Sequence, residues 1–563
     1  MSPSQARGGV SATLSLAVTA GLFYVTGLAG PGFFDNEGRY AEVARQMNER
    51  GDFVTPFMNG VPFLNKPPLT SWLVAVVLRW VDPAEWARLV SVGAALASLV
   101  AVMRLGAHLH GERHGRMAGL LLATMIGFVL EARTLRPDGL LIASMAWAML
   151  CLWHADQGGR RRTAWLVGFY VALGLGVLVK GVVPLALAAP PVAIAVLGRH
   201  GWPGIRRLRP VLGIAVVSAI VLPWHGLAAA RNPGFAWDFV VNQHLLFAVD
   251  RKEPRDSEGD PLAFFLSAFL GRTAPWWLLV LPAWKAPLDA IRARDPWGLV
   301  PWAWMLTPIA LFVLVPSRLE HYTLPALPAV ALLAAGPALA FVEEAGGGLR
   351  RFVIGLGIAT AAAGLVLVAR GTALLAPLYW IGQAPALAPL PALAGVVLAI
   401  GGGGAAAAAA ARHGRVALAC LLGAAIGFSA ITVHALAVVS PLFSWREIAA
   451  AIDRGVGREA EVVFEAPVEY QLVGGLDFYL GRDVTLLEPP GGFVPPTYLE
   501  GYAREMFVSR QEFERRWREP RPLVMVSDPT RRRDDADGMV PPPFSVVARI
   551  GDRWVLGNAA AAR

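Results

Sequence analysis

The 563-residue sequence has little charge and almost no cysteine. Asp, Glu, Lys and Arg make up 16% of it and hydrophobic residues 55%, and its mean hydropathy is +0.50. So few charges cannot cover the surface of a soluble domain of this size. Cys151 and Cys420 each fall inside an apolar run, so neither a disulfide framework nor a cysteine-based zinc site is indicated. The composition indicates a membrane protein.

The basic residues are not gathered on any one soluble region. The net charge is +9, but the arginines separate apolar runs from one another, which argues against nucleic acid as a partner. The C-terminal region also lacks a glycine-rich nucleotide-binding motif.

Apolar runs recur from Val10 to about Val439. Runs of roughly 17–25 residues can cross a hydrocarbon core of about 30 Å as helices, which satisfy their own backbone groups where no water is present. We therefore predict a polytopic α-helical membrane protein of about thirteen transmembrane helices, the first a retained signal anchor. The predicted spans are 10–29, 87–107, 116–132, 138–154, 163–180, 182–198, 209–229, 262–284, 296–315, 321–343, 351–370, 389–411 and 415–440.

Basic residues mark one side of the predicted membrane. Every second connection, starting at the N-terminus, is basic, whereas the alternate connections are longer and mixed in charge. Because short cytoplasmic loops hold the Lys and Arg excess, this pattern predicts a cytoplasmic N-terminus and, with an odd number of spans, a C-terminal region on the outer side of the membrane. The basic connections hold Arg7, Arg104, Arg113, Arg116, Arg160, Arg161, Arg162, Arg199, Arg206, Arg207, Arg209, Lys285, Arg292, Arg294, Arg350, Arg351, Arg412 and Arg415.

The composition changes near Pro441. We predict a transmembrane domain over 1–440, with long outer loops at 30–86 and 230–261, and a periplasmic α/β domain over 441–563. In the latter, Ser444 can cap a helix through Arg454. Short strands are predicted at Glu461–Glu465, Val484–Leu487 and Leu523–Val526, a polar helix near Gln511–Glu519 and a strand pair around Phe544–Leu556.

Polar residues concentrate at the start of the first outer loop. Asp35, Glu37, Arg39 and Tyr40 open a segment whose apolar residues recur at helical spacing, which predicts a helix in the membrane interface. Helix capping by Asp35 and dipole compensation by Glu37 explain the acidic residues equally well. Lys66 follows at the membrane surface, where a single lysine often snorkels towards water.

Further charged residues stand on other outer connections. Asp138 could cap the next helix, but Lys180 interrupts two apolar runs, and an ionisable residue at that depth usually faces a cavity or a partner. Arginine and lysine in excess suit an anionic head group, and separated carboxylates suit activation of an acceptor or a metal. The outer set comprises Asp35, Glu37, Arg39, Lys66, Arg133, Arg136, Asp138, Lys180, Arg251, Arg255, Arg318 and His321.

Several of these residues form motifs. The segments Asp35–Arg45, Gly51-Asp52, Lys66-Pro67-Pro68, Arg136–Gly139 and His321–Pro328 resemble the bacterial protein-mannosyltransferase-like superfamily with the GT-C fold. The nearest branch of that superfamily transfers 4-amino-4-deoxy-L-arabinose to lipid A. The resemblance covers the whole layout, including the large first outer loop and the C-terminal domain.

The resemblance implies an inverting glycosyltransferase, which moves a sugar from undecaprenyl phosphate to lipid A or another acceptor at the periplasmic face. It implies Asp35 and Asp138 as the essential carboxylates, with Glu37 the alternative to Asp35 because Asn36 separates the two. Lys66 and Arg39 would hold the donor phosphate, and Tyr40 would line the pocket. Further phosphate-binding candidates are Arg136, Lys180, Arg251 and Arg318, and further pocket candidates are His321 and Tyr322.

A divalent metal is the one cofactor that the resemblance raises. Its members commonly have Glu before the Lys-Pro motif, acting with a later His, whereas this sequence has Asn65 there. A metal held by Asn65 and His244 is therefore disfavoured.

Other functions fit parts of the pattern. A secondary transporter would explain the many spans, but it predicts inverted repeats and broken helices near the midplane, which the sequence does not indicate. A non-catalytic lipid-binding or flippase-like protein stays open, although the presence of both Asp35 and Asp138 favours an enzyme. Within the enzyme class, the acceptor could instead be a protein, a glycan or another lipid.

Overall fold

The membrane part is a bundle of long apolar helices. The computed structural model describes residues 3–253, 259–344, 347–378, 380–466, 470–489, 495–499, 501–502, 506–529, 531 and 535–561, without the side chains of residues 3–12, 35, 344, 470 and 497. Among the described residues, ten helices are long and apolar enough to cross a membrane, and two bent pairs raise that number to twelve.

Each of the thirteen predicted runs has a counterpart in the bundle. The run 10–29 matches the short apolar helix Thr13–Val25, and 116–132 and 262–284 match the two bent pairs, which turn by 70° and 94°. Hydropathy alone could not show these bends, because a broken helix and a straight one of equal length are equally apolar. The helices are α1 Pro3–Val25, α2 Asp35–Arg50, α3 Leu69–Leu78, α4 Leu89–His110, α5 Glu112–Ala123, α6 Ile126–Ala132, α7 Pro137–Gln157, α8 Arg162–Lys180, α9 Val183–His200, α10 Gly204–Arg207, α11 Pro210–Arg231, α12 Phe235–Trp237, α13 Leu262–Thr273, α14 Ala286–Arg292, α15 Pro296–Leu314, α16 Leu327–Glu344, α17 Gly347–Leu375, α18 Leu390–Ala410, α19 Gly414–Phe443, α20 Arg446–Gly455, α21 Gly474–Leu480 and α22 Arg510–Trp517.

The first long loop, residues 30–86, holds α2, a small hairpin and α3. The hairpin pairs β1 Phe57–Met58 with β2 Val61–Pro62, and Asn59 takes a positive φ of 51° in its turn. The apolar stripe of α2 is buried in a core shared with the C-terminal domain. The amphipathic face predicted for this helix is therefore confirmed, and its position in the membrane interface stays a prediction.

The C-terminal domain is a six-stranded sheet flanked by helices. Its strands are β3 Glu461–Glu465, β4 Thr485–Leu487, β5 Phe507–Val508, β6 Leu523–Val526, β7 Phe544–Ile550 and β8 Arg553–Asn558, in the spatial order β5-β4-β3-β6-β8-β7. In this spatial order the first four strands are parallel to one another, and β8 is antiparallel to both of its neighbours, β6 and β7. The predicted strands and the polar helix near Gln511 are confirmed, whereas β5 and α21 were missed because both are short.

The C-terminal domain packs tightly on α2. A Cβ on Gly38 would collide with the Cα of Gly475, so only two glycines allow α2 and α21 to approach this closely. At the hairpin, Asn59 donates to the Val484 carbonyl at 2.9 Å and accepts from the Val484 amide at 2.8 Å. We call the end of the bundle that carries these contacts the domain end.

Candidate functional site at the domain end

Glu37 forms a buried ion pair at the start of α2. Its carboxylate lies 2.6 Å from the Arg88 guanidinium, and both side chains are at most 2% exposed. It also accepts from the amides of Phe34 at 3.0 Å and Leu135 at 2.7 Å. With its oxygens engaged in this way, Glu37 joins α2 to the bundle, and the alternative catalytic assignment to Glu37 stays a prediction.

The neighbouring residues of α2 lie where its first turns meet the C-terminal domain. Arg39 is buried and donates to Gln471 Oε1 and Asn36 Oδ1, both at 2.7 Å. Tyr40 is 8% exposed. Asp35 is the first residue of α2, but its side chain lies outside the described residues. Because residues four apart share a helix face, Asp35 and Arg39 lie on one side of α2.

Lys66 lies on the segment between β2 and α3. Asn65 is 5% exposed, and its Oδ1 accepts from the Tyr498 hydroxyl at 2.5 Å. Burial lowers the pKa of His244, and the Lys66 ammonium lowers it further, which places the two side chains within electrostatic range. Lys66 therefore lies near the π-helical segment Asp238–Leu246, which carries His244.

His244 connects Lys66 to the end of α8. Its Nδ1 lies 2.5 Å from the Phe239 carbonyl, and its Nε2 accepts from the Val182 amide at 3.3 Å. Gly181, with φ +61°, passes so close that a Cβ would collide with Nε2. Lys180 directly precedes this glycine, so the segments carrying Lys66 and Lys180 converge.

These contacts bear on the metal site that the sequence disfavours. Both His244 ring nitrogens have backbone partners, and Asn65 is held by Tyr498. Among the described residues, no group of three or more His, Cys, Asp or Glu side chains is arranged to hold a metal ion. A metal site built on Asn65 and His244 therefore does not fit this chain.

Asp138 and Lys180 pair in the membrane part of the site. Asp138 Oδ1 lies 2.5 Å from Lys180 Nζ, with the two side chains 3% and 12% exposed. Asp138 is at the second position of α7, and Lys180 is the last residue of α8. Lys180 Nζ also lies 4.7 Å from the centre of the Tyr322 ring, a cation–π distance.

Two more ion pairs surround this centre. Arg136 lies 2.7 Å from Glu131, which is 2% exposed and whose Oε1 has no hydrogen-bond partner among the described residues. Glu320 lies 2.6 Å from Arg272 and 3.1 Å from His321 Nδ1. His321 in turn is within electrostatic range of Asp138 and Lys180.

The remaining arginines divide by what their side chains do. Arg318 donates to the carbonyls of Phe312, Asp260 and Val313 at 2.8–3.2 Å, which gives it a structural role, and its assignment to the donor phosphate stays a prediction. Arg133 donates to the Tyr24 carbonyl at 2.5 Å and holds the end of α1. The Arg251 side chain is exposed, and Arg255 lies outside the described residues.

The ion pairs around Asp138 carry nearly balanced charge, which limits what they can bind. The three pairs, Asp138–Lys180, Glu131–Arg136 and Glu320–Arg272, each join one carboxylate to one cation. Such a network supplies hydrogen-bonding groups in a low dielectric without a large excess of either sign. A phosphate group would therefore depend on cations outside these three pairs.

Sequence reasoning missed Glu131, Arg272 and Arg88 as parts of the site. Glu131 and Arg272 each stand at an end of a helix in one of the two bent pairs, so their positions depend on the bends. Arg88 is the second residue of the predicted span 87–107 and was counted as part of that apolar run. A single arginine at this position could have been predicted to need an acidic partner, which the structure shows to be Glu37.

The same architecture occurs in known transferases. The structure aligns with the crystal structure of ArnT from Cupriavidus metallidurans bound to undecaprenyl phosphate, over 99% of both chains with a TM-score of 0.80 and 24% identity. The protein has the GT-C fold. The archaeal oligosaccharyltransferase AglB from Archaeoglobus fulgidus, in complex with an inhibitory peptide and a dolichol-phosphate, covers 92% of this chain and 69% of its own, with a TM-score of 0.53 and 14% identity.

Sequence comparison points to the same group of GT-C proteins. Residues 65–226 match the family model described as dolichyl-phosphate-mannose-protein mannosyltransferase. Undecaprenyl phosphate-alpha-4-amino-4-deoxy-L-arabinose arabinosyl transferases match at 28% identity from Aeromonas salmonicida, over 57% of this chain and 59% of the relative, and at 30% from Edwardsiella ictaluri, over 62% and 64%. The matched part thus spans less than two thirds of either relative. The expected resemblance is confirmed.

Proposed function

We propose that this protein is an inverting glycosyltransferase that moves a sugar from undecaprenyl phosphate to an acceptor at the periplasmic face of the bacterial inner membrane. The observation that carries the proposal is the buried Asp138–Lys180 pair beside Tyr322 and His321, with the Lys66 segment converging on it. We assign aminoarabinose as the sugar, because the curated relatives are named for that donor, and lipid A as the acceptor, because the resemblance in the sequence motifs implies it.

The charge distribution supports a division of labour within the site. Lys66, Arg39 and Arg251 would bind the donor phosphate, because Arg39 and the segment before Lys66 both contact the C-terminal domain, Arg251 is exposed, and Arg and Lys are the side chains that bind phosphate oxygens. Asp138, with Lys180 and Tyr322, would hold the sugar or the acceptor. Tyr40 and His321 would complete the pocket wall.

The reaction balances as a single displacement. An acceptor oxygen attacks the anomeric carbon from the face opposite the phosphate, a new C–O bond forms, and the bond to the phosphate oxygen breaks. The departing polyprenyl phosphate keeps the electron pair, so fixed cations stabilise the transition state more than the ground state. If the acceptor is a hydroxyl group, Asp35 is our candidate for the base that takes its proton.

The proposed orientation follows from the two ends of the bundle. Asp138 is near one end of α7, whereas Arg160, Arg161 and Arg162 lie past its other end, about 30 Å away at 1.5 Å per residue over 21 residues. Because cytoplasmic loops hold the basic excess, the domain end would face the periplasm. The donor's polyprenyl tail would lie in the bilayer beside it.

The test is a transfer assay with purified protein in lipid vesicles. Radiolabelled undecaprenyl-phosphate sugars would be offered with lipid A, a protein, a glycan and a second lipid as acceptors. We expect label to move from undecaprenyl-phosphate aminoarabinose to lipid A. Transfer to a protein would instead favour the acceptor in the description of the family model that matches residues 65–226, and no transfer with any pair would contradict the proposal.

A further inference from the structure

The C-terminal domain reaches the first long loop through the carboxyl ends of two parallel strands. Gln471 follows β3 and Tyr498 follows β4, and the two strands are neighbours in the sheet. In α/β sheets, segments after the carboxyl ends of parallel strands commonly form ligand sites. Here they contact the part of the chain that carries the proposed donor-binding residues Arg39 and Lys66.

Of the contacts made by Gln471 and Tyr498, the one made by Tyr498 lies directly beside Lys66 in the chain. Tyr498 and Asn65 are each 5% exposed, and the hydroxyl donates to Asn65 Oδ1 at 2.5 Å. Lys66 is the next residue, followed by Pro67 and Pro68. Each proline ring fixes its own φ and restricts the residue before it, so the backbone from Asn65 into α3 has few conformations.

The other side of the same segment is fixed as well. The Asn59 side chain makes two hydrogen bonds with the Val484 backbone, which ties the β1–β2 hairpin to the start of β4. The six residues between Asn59 and Lys66 are therefore anchored at Asn59 and again at Asn65. Lysine has a flexible four-carbon side chain, so the position of its backbone decides which volume its ammonium can reach.

We propose that Tyr498 is a positioning residue of the donor site, which sets the place of Lys66 through its hydrogen bond to Asn65. This inference rests on the proposed function. It gives the C-terminal domain a part in donor binding, in addition to its packing on α2. Fixed placement of a cation matters because an error of about 1 Å in a binding group can cost a large factor in rate.

A double-mutant cycle in the full-length protein tests the proposal. KM for the undecaprenyl-phosphate sugar and kcat would be measured for the wild type, Tyr498→Phe, Lys66→Ala and the double variant. Loss of one hydrogen bond should raise KM roughly five- to tenfold in Tyr498→Phe, with kcat changed less than about twofold. In the Lys66→Ala background the same substitution should raise KM by less than about twofold, because the group that Tyr498 positions is gone.

Two further variants separate positioning of Lys66 from a general weakening of the contact between the C-terminal domain and the bundle. Gln383 makes two hydrogen bonds with the Gly551 backbone, a contact between the C-terminal domain and the bundle that lies outside the first long loop. Gln383→Ala should leave KM unchanged. Asn65→Leu removes the acceptor of the Tyr498 bond and should reproduce the KM increase even if Tyr498→Phe does not fold.

The outcomes distinguish this inference from the function on which it rests. An unchanged KM in Tyr498→Phe and Asn65→Leu, or equal KM increases with and without Lys66, would overturn the positioning role while the transfer activity stands. An equal KM increase in Gln383→Ala would also overturn it, since any weakened docking would then have the same effect. Absence of transfer by the wild type would overturn the proposed function, and this inference with it.

Discussion

The Asp138 carboxylate lies 2.5 Å from the Lys180 ammonium, and the two side chains are only 3% and 12% exposed. Removing one partner of a buried pair leaves the other charge without compensation, which costs about 3–5 kcal/mol. Lys180→Ala should therefore lower the thermal unfolding temperature of the purified protein. The double variant Asp138→Asn/Lys180→Met should recover most of that stability but no transfer activity. Recovery of activity in the double variant would show that the pair is structural only.

Arg88 and Glu37 provide the clearest test of a structural pair. Arg88 also donates to the carbonyls of Leu28, Pro31 and Gly32, so Arg88→Met should destabilise the protein by about 3–5 kcal/mol, measured by thermal unfolding in detergent.

The control for this prediction is an exposed ion pair. Arg113 and Glu343 lie 2.8 Å apart with side chains 75% and 48% exposed. Arg113→Ala should change stability by less than about 1 kcal/mol. Similar losses in both variants would contradict the importance of burial.

The contact between Gly38 and Gly475 predicts a steric effect on docking of the C-terminal domain. A Cβ on Gly38 would collide with the Gly475 backbone, so Gly38→Ala should cost about 1–3 kcal/mol, or separate the domain from α2. Limited proteolysis of the C-terminal domain would detect that separation. Gly93→Ala is the matched control, since nothing lies within 4 Å of its Cβ position; equal protease sensitivity of the two variants would contradict the prediction.

The buried Asp477 carboxyl group should make the stability of the protein depend on pH. It is fully buried, and neither carboxylate oxygen has a hydrogen-bond partner among the described residues. Burial raises its pKa well above the usual value, and the Glu42 and Asp483 carboxylates raise it further. The folded protein therefore holds this proton more tightly than the unfolded chain, so stability is greatest below the unfolded pKa of about 4 and is lost as pH rises through the raised folded pKa.

Asp477→Asn should remove that loss. The variant should be more stable than the wild type by about 1–3 kcal/mol above the folded pKa of Asp477, with the difference shrinking as pH falls. Thermal unfolding followed from pH 8 to pH 4 measures this. Asp483→Asn, whose wild-type carboxylate accepts from Gln46 at 3.1 Å, should show a smaller gain. A gain for Asp477→Asn that is independent of pH would contradict the account.

The sequence predicted the elements better than their arrangement. Apolar run lengths located the membrane helices, and strand patterns located β3, β4, β6, β7 and β8, because these signals are local. The sequence could not show that α2 is buried against α21, since that contact depends on a glycine pair more than 400 residues apart in the chain.

The same distinction applies to the candidate site. Asp138 and Lys180 could be singled out as ionisable residues beside membrane spans, and the structure places them together. Glu37 and Arg318 have similar surroundings in the sequence, yet their partners come from distant segments or from backbone carbonyls. Charge content therefore indicated the region of the candidate site, whereas the partner of each charged side chain could be known only from the fold.

One comparison tests the central claim most directly. Asp138 and Asp156 stand near opposite ends of α7, both are buried, and both have cationic partners. In the reconstituted assay with undecaprenyl-phosphate aminoarabinose and lipid A, Asp138→Asn should lower turnover by at least about a hundredfold, and Asp156→Asn by less than about threefold. Full turnover in Asp138→Asn, or equal loss in both variants at matched protein levels, would contradict a catalytic site at the domain end.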